Sequence, residues 1–278
     1  MKDVVVGNVR IGGRNPLVLI AGPCVIESEE GCFDTALALR DMAQEAGFPL
    51  IFKTSYDKAN RFSLDSYRGP GIERGLEVLK RIKKELLVPV LTDVHTEEQA
   101  EMAGDVVDMV QIPAFMCRQT DLVRAAARSG KPVNVKKGQF LSPYDVPNII
   151  AKIEASGNTQ IVLTERGTFF GYGALVNDMR SIPIMQNFGY PVAFDATHSV
   201  QQPGGLGRAS GGQREFIPVL AKAAVAAGAN AVFMEVHPNP MKALSDGPCM
   251  LFLDDLPDLM SKLLLIDQVV HPHRRLVH

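Results

Sequence analysis

The chain repeats a two-part pattern of side chains. A short, almost uninterrupted apolar run of strand length is followed by a longer stretch in which apolar residues return at helical spacing. The runs fall at residues 16–22, 50–54, 88–92, 106–112, 132–135, 160–163, 190–194 and 231–234. The helical stretches are clearest at 29–47, where Phe33, Leu37, Leu39 and Met42 form the apolar side and Gly47 supplies the stop, and at 72–87, whose other side is rich in Lys, Glu and Arg. Further helices are predicted over 96–103, 121–129, 142–155 and 256–269. Ahead of the first run, two short β-prone segments within residues 4–13 flank a Gly-Asn pair, which predicts a hairpin acting as a small lid before the main domain.

Strands that are apolar on both faces must be covered on both faces, and strand-helix alternation achieves this with a parallel sheet. Eight such units without a break in composition predict one α/β domain, a (β/α)8 TIM barrel. Residues 1–13 form the hairpin, 14–270 the barrel and 271–278 a solvated tail carrying His271, His273 and His278. An open doubly wound sheet is the alternative, but no Gly-x-Gly-x-x-Gly follows the first strand, as a dinucleotide-binding form requires. The long glycine-rich segment Gln202-Pro-Gly-Gly-Leu-Gly-Arg-Ala-Ser-Gly-Gly212 lies between a strand and a helix and is expected to be a mobile active-site cover.

Composition narrows the function. With 278 residues, 46% of them hydrophobic and 22% charged, the chain can build a large core. A net charge of -2 and a pI near 6.3 argue against nucleic acid as a partner, so a basic site here is local and suits a small anion. No apolar run reaches membrane-spanning length, and the first residues lack the features of a signal peptide, so a cytoplasmic location is expected. The four cysteines, Cys24, Cys32, Cys117 and Cys249, are scattered, which fits a reducing compartment and no disulfide framework.

A barrel of this kind carries its chemistry at the carboxyl ends of its strands. In chain order those ends bear Cys24, then Lys53 and Ser55, Asp93 and His95, Gln111, Lys136 and Lys137, Glu165 and Arg166, Asp195 and His198, and finally Glu235 and His237. Polar groups from eight separate strands thus converge on one mouth. The second strand is the richest, since Leu50-Ile-Phe-Lys-Thr-Ser-Tyr-Asp-Lys-Ala-Asn-Arg61 delivers several cations to an edge. An arginine chelates an oxyanion with two parallel bonds and a lysine supplies a point charge, a combination suited to a phosphorylated or carboxylated small molecule.

Seven segments carry a family resemblance: Gly22-Pro-Cys-Val-Ile-Glu-Ser28, Phe52-Lys-Thr-Ser-Tyr-Asp-Lys-Ala-Asn-Arg61, Thr92-Asp-Val-His95, Gln111-Ile-Pro-Ala-Phe115, Asn134-Val-Lys-Lys-Gly-Gln-Phe140, Glu165-Arg-Gly167 and Asp195-Ala-Thr-His-Ser199. Together, in this order, the chain resembles the 3-deoxy-D-manno-octulosonate 8-phosphate synthase family. The resemblance implies a barrel transferase, usually a homotetramer, that condenses phosphoenolpyruvate with arabinose 5-phosphate and water on the route to the lipopolysaccharide sugar Kdo. It assigns phosphoenolpyruvate to Lys53, Ser55, Lys58, Lys136, Gln139 and Arg166, with Gln111 and Phe115 in the substrate site and Asp93 and His95 beside the reaction. It gives the distal sugar phosphate to Asn60, Arg61 and Ser63, and has Arg118 reach a neighbouring subunit's site. Lys137 is either a second site cation or part of a pair at the barrel bottom.

One branch of that family has Asn at the position of Cys24 and works without metal; the other has Cys and requires a divalent ion. This chain has Cys, and the resemblance implies a Zn, Fe, Mn or Co site of Cys24, His198, Glu235 and Asp246, a mixed S/N/O donor set suited to such ions. The segment Ala243-Leu-Ser-Asp-Gly-Pro248 resembles the metal-dependent branch as well. No organic cofactor is implied. Two other readings share parts of the pattern: the sister synthase that uses erythrose 4-phosphate, which has a Lys-Pro-Arg-Thr/Ser-type motif in place of Lys58-Ala-Asn-Arg61, and a non-catalytic phosphosugar-binding barrel, which has no need of the four-residue metal set.

Overall fold

The apolar runs become the strands of a closed parallel barrel in the computed structural model, which describes residues 1–61, 63–173, 175–203 and 211–274. The barrel strands are β1 (Val18–Gly22), β2 (Leu50–Lys53), β3 (Val90–Asp93), β4 (Met109–Ile112), β5 (Val133–Lys136), β6 (Ile161–Glu165), β7 (Val192–Asp195) and β8 (Ala231–His237). Each pairs with the next, and β8 pairs with both β7 and β1 to close the ring. Helices α1 (Glu29–Ala46), α2 (Ile72–Leu86), α3 (Glu97–Gly104), α4 (Thr120–Arg128), α5 (Pro147–Glu154), α6 (Ser181–Gln186), α7 (Ile217–Ala226) and α8 (Leu256–Val270) occupy the connections and the outer side. The predicted helix over 142–155 is divided, a 3-10 turn at Pro143–Asp145 leading into α5 at Pro147.

Local chemistry explains several boundaries. Ser28 caps α1 by accepting the N–H of Gly31, and Gly47 ends that helix with φ 67, a left-handed conformation that costs glycine little. Thr96 caps α3 through the N–H of Gln99, whose own side chain returns to the N–H of His95 and fixes the backbone of a site residue. At Gly22 a Cβ would lie 1.9 Å from the Lys53 carbonyl oxygen, so only glycine lets the ends of β1 and β2 approach this closely.

The two faces of each strand have different partners. Outward residues such as Leu19, Phe52, Val110 and Val135 pack with the helices in the larger apolar cluster. Inward residues begin apolar and end polar. Val18, Ile20, Ile51, Leu91, Met109, Val162, Ala193, Ala231 and Phe233 form an inner cluster, while the inward positions nearer the carboxyl ends are Lys53, Asp93, Gln111, Lys136, Thr164, Asp195 and Glu235. Register keeps that polar layer level, with Glu235 opposite Gly22, Asp93 opposite Gln111 and Lys136 opposite Thr164.

Two expectations about the ends of the chain need correction. The hairpin forms at Val4–Val6 and Val9–Ile11, but it is no lid. Its Val4, Val6, Val9 and Ile11 join the inner cluster, plugging the end of the barrel away from the polar layer. The start of the tail is only partly solvated: His273 is exposed, but Arg274 is paired with Asp267 and donates to the Ala229 carbonyl, and His271 is half-buried. His278 and most of the glycine-rich segment expected to cover the site lie outside the described residues.

Candidate active site

Lys53, at the end of β2, donates to Ser55 Oγ at 2.9 Å and to Glu235 Oε1 at 3.2 Å, with Asp93 at 3.8 Å. Ser55 in turn donates to Asp93. Lys58 lies 3.6 Å from the same Glu235 oxygen. Across the ring, Lys136 meets Asp195 Oδ2 at 2.6 Å and stands 3.7 Å over the ring of Phe233, the uppermost apolar residue of β8 within the barrel. Arg166 donates through Nη2 to Gln201 Oε1 at 3.1 Å, while its buried Nη1 has no hydrogen-bond partner among the described residues.

These four cations are each no more than 9% exposed, against the buried carboxylates Asp93, Asp195 and Glu235. Burying charge costs several kcal/mol per ion unless it is matched, so the surplus of buried positive charge suits an incoming anion. The carboxylates are committed to their charged form. Burial would raise Asp93, but Lys53, a hydrogen bond from His95 and Lys58 hold it well below the usual carboxylate range. Asp195 is likewise held low by His198 and Lys136, and Glu235 by Lys58, His198 and Lys53, in each case against burial. Burial lowers the pKa of Lys136, with Asp195 opposing it, and lowers that of Arg166.

Above the layer opens a cavity of about 860 Å3. It is lined by Lys53, Lys58, Asp93, Lys136, Arg166 and His198 below, and by Asn60, Arg61, His95, Gln111, Phe115, Gln139 and Asp246 around them. His95 Nε2 lies 3.2 Å from Asp93, which raises the pKa of the imidazole although burial alone would lower it. Gln111 is fixed by Asn134, itself bonded to Thr164, so the amides of the inner layer are satisfied across β4, β5 and β6.

The predicted metal donors also come together. Sγ of Cys24, a carboxylate oxygen of Glu235 and one of Asp246 lie within 4.8 Å of one another. His198 Nε2 is 3.7 Å from Glu235 Oε2 and 3.9 Å from Asp246 Oδ2, while its Nδ1 is anchored 2.7 Å from Asp195. That anchor leaves Nε2 to face the carboxylates, the usual arrangement of a ligating histidine. Glu235 Oε2 is buried with no hydrogen-bond partner among the described residues. A thiol among carboxylates, an oriented imidazole and an orphaned carboxylate oxygen fit a divalent cation. Asp246 adopts φ 46, a left-handed conformation uncommon for a residue with a side chain, as part of the tight turn that presents it.

Other predicted residues sit elsewhere. Ser55 lies beneath the cavity, holding Lys53 and Asp93, and Ser63 does not line it, although Ser66 does. Arg118 is exposed and outside this chain's own cavity. Lys137 is neither a cavity-lining cation nor at the barrel bottom; it is buried at the carboxyl end beside Glu165. Glu165 does not pair with the Arg166 side chain but accepts the backbone N–H of Arg166 and of Gly167. His237 accepts the Asn239 N–H and lies 3.6 Å from Glu27, serving the loop rather than the cavity.

Three contributors escaped the sequence reading. Gln201 links Arg166 to Asp246; Ser245 Oγ lies 3.1 Å from Cys24 Sγ and accepts from Arg61 at 2.6 Å; and Arg214 donates to the Gly247 carbonyl at 2.5 Å and to that of Met250, clamping the turn that carries Asp246. Gln201 and Ser245 stand within three residues of His198 and Asp246, which was the available signal.

The sequence model of the DAHP synthetase I family matches residues 2–269. Curated relatives named 2-dehydro-3-deoxyphosphooctonate aldolase include that of Geotalea uraniireducens, 60% identical over 97% of this chain and 99% of its own length. That of Geobacter metallireducens is 57% identical with the same coverage, and that of Protochlamydia amoebophila is 57% identical over 94% of this chain and 95% of its own. With its closed barrel, its buried cationic mouth and this full-length match, the chain belongs to the DAHP synthetase I family.

Proposed function

We propose that this protein is a transferase that condenses phosphoenolpyruvate with D-arabinose 5-phosphate and water, giving 3-deoxy-D-manno-octulosonate 8-phosphate and inorganic phosphate, a step of Kdo and lipopolysaccharide synthesis. The observation that carries this reading is the set of four buried cations, Lys53, Lys58, Lys136 and Arg166, gathered at one barrel mouth in a chain about 60% identical to a relative named for that product. The presence of Lys58-Ala-Asn-Arg61, where the sister synthase has a Lys-Pro-Arg-Thr/Ser-type motif, favours the eight-carbon product.

The reaction joins the methylene carbon of phosphoenolpyruvate to the sugar aldehyde carbon, adds a water oxygen to the adjacent enol carbon and breaks that carbon's bond to the phosphate oxygen. A fixed cationic cradle lowers the cost of holding a trianionic substrate and of the charge that moves onto the leaving phosphate. Lys136 and Arg166 grip it from two sides, with Lys53, Lys58 and Gln139 completing the cradle, Ser55 holding Lys53 from beneath, and Phe233 excluding water below. Asn60 and Arg61 hold the far phosphate of the sugar, with Gln111 and Phe115 against its chain. His95 on Asp93 is an oriented imidazole able to hold a proton beside the reacting carbons, whereas His198, anchored on Asp195, turns its Nε2 to the carboxylates of the metal set.

Cys24, His198, Glu235 and Asp246 would hold a divalent metal, which supplies Lewis acidity toward a carbonyl or a water. The working unit is a homo-oligomer in which Arg118 serves a neighbour. Exposed Phe115, Phe140, Phe169 and Phe170, on the loops after β4, β5 and β6, support an apolar contact on that flank. No helix among the described residues is long and apolar enough to cross a membrane; a cytoplasmic location is part of the proposal because both substrates are phosphorylated metabolites. A phosphate-release assay tests the reading. Phosphate should appear with phosphoenolpyruvate and arabinose 5-phosphate together; preference for erythrose 4-phosphate would return the sister activity, and no release with either sugar would leave a binding barrel.

A further inference from the structure

Lys137 and Glu165 are buried, oppositely charged and outside the cavity, and the reaction as described does not use them. A buried ion pair is poor evidence of stabilisation, since apolar residues of similar size often serve as well, so what this pair does is read from its contacts. Lys137 Nζ donates to the carbonyl oxygens of Leu141 at 3.1 Å and Gly138 at 3.3 Å and to Thr168 Oγ1 at 3.2 Å, with Glu165 Oε1 at 3.5 Å. The same Glu165 oxygen accepts the backbone N–H of Arg166 at 2.9 Å and of Gly167 at 2.7 Å.

One ammonium and one carboxylate therefore tie together the loops that follow β5 and β6. The first carries Gln139, three residues after Lys136, and the second begins with Arg166. A backbone bond from the Phe169 N–H to the Gln139 carbonyl crosses the same seam at 3.0 Å. Three groups assigned to phosphoenolpyruvate thus hang from one brace, whereas Asn60 and Arg61 come from the loop after β2.

We infer that Lys137 and Glu165 are positioning residues that preorganise Lys136, Gln139 and Arg166 for phosphoenolpyruvate without touching it. This rests on the proposed function for the identity of the anion. Preorganisation places grip geometry under the control of groups behind the cavity wall, and its loss should fall on the affinity for one substrate only.

The test compares Lys137→Met, Lys137→Arg, Glu165→Gln and the double variant Lys137→Met/Glu165→Gln with the unmodified protein. The double variant removes both charges together, leaving no unpaired buried ion and no change in net charge, so it remains informative if a single variant fails to fold. Thermal unfolding verifies the fold, calorimetry measures phosphoenolpyruvate binding, and steady-state kinetics give each KM and kcat. The expected result for the folded double variant is roughly tenfold or more weaker phosphoenolpyruvate binding, with a raised KM for that substrate, kcat changed less and the KM for arabinose 5-phosphate unchanged. Lys137→Arg should restore part of the affinity. An unchanged phosphoenolpyruvate affinity in the folded double variant, an equal rise in both KM values, or a fall in kcat alone would overturn the inference. Failure of the unmodified protein to bind phosphoenolpyruvate would instead defeat the proposed function.

Discussion

The Lys136 ammonium sits 2.6 Å from Asp195 Oδ2, joining the ends of β5 and β7 across the barrel mouth, and both residues are buried. Removing one member leaves the other charged and unmatched. Asp195→Asn should therefore cost about 3–5 kcal/mol of stability, read from the denaturant midpoint. The same change releases His198 Nδ1, so bound metal should fall with it; full stability together with full metal content would show that the pair is not coupled in this way.

Arg61 reaches the rim of the cavity and donates to Ser245 Oγ and the Leu244 carbonyl. Losing a charge-assisted contact to a phosphate weakens binding by roughly 1.5–3 kcal/mol, so Arg61→Ala should raise the KM for arabinose 5-phosphate at least about tenfold. The KM for phosphoenolpyruvate should stay near its original value. The opposite division between the two substrates would reassign Arg61.

Chelation should abolish activity, and Zn, Fe, Mn or Co should restore it to different extents. Cys24→Ala should lose tight metal, and His198→Ala and Asp246→Asn should lower metal content as well as rate. All the donors bind better deprotonated, so metal loading should weaken as pH falls. Elemental analysis decides the matter: full turnover in protein carrying no metal, with chelator present throughout, would return Cys24 to a structural role.

Arg118 is exposed and away from its own chain's cavity. If it completes a neighbour's site, inactive Arg118→Ala and inactive Arg166→Ala proteins should regain activity when mixed, because some sites in the hybrids draw both intact groups from different chains. Verified subunit exchange without recovery would mean that each site is built within one chain.

The His95–Asp93 pair makes a pH-dependent contribution of defined sign. The folded-state pKa of His95 is raised, so its contribution is fully present below the unfolded value of about 6.5 and is lost as pH rises through the folded value. The melting-temperature difference between the unmodified protein and His95→Gln should be larger at about pH 6 than at about pH 9. A difference that grows with pH would contradict the assignment.

Much of this protein is legible without coordinates because its signals are local. Apolar runs such as Val18–Gly22 specify strands buried on both faces, and polar residues at their carboxyl ends, Lys53, Asp93, Lys136 and Asp195 among them, mark the mouth, since alternation turns every second side chain inward. Resemblance added which substrate each would meet. What the sequence could not supply is pairing between distant segments. Cys24 and Asp246 are 222 positions apart, and Arg61 meets Ser245 across 184, so no spacing records either contact. The hairpin read as a lid is a plug, because only the closed ring creates the apolar end that Val4, Val6, Val9 and Ile11 fill. Lys137 directly follows Lys136, yet one is a brace and the other lines the cavity. Residue type and spacing fixed which groups reach the rim, whereas barrel closure decided which of them meet, because contact there depends on strand order and register around the ring.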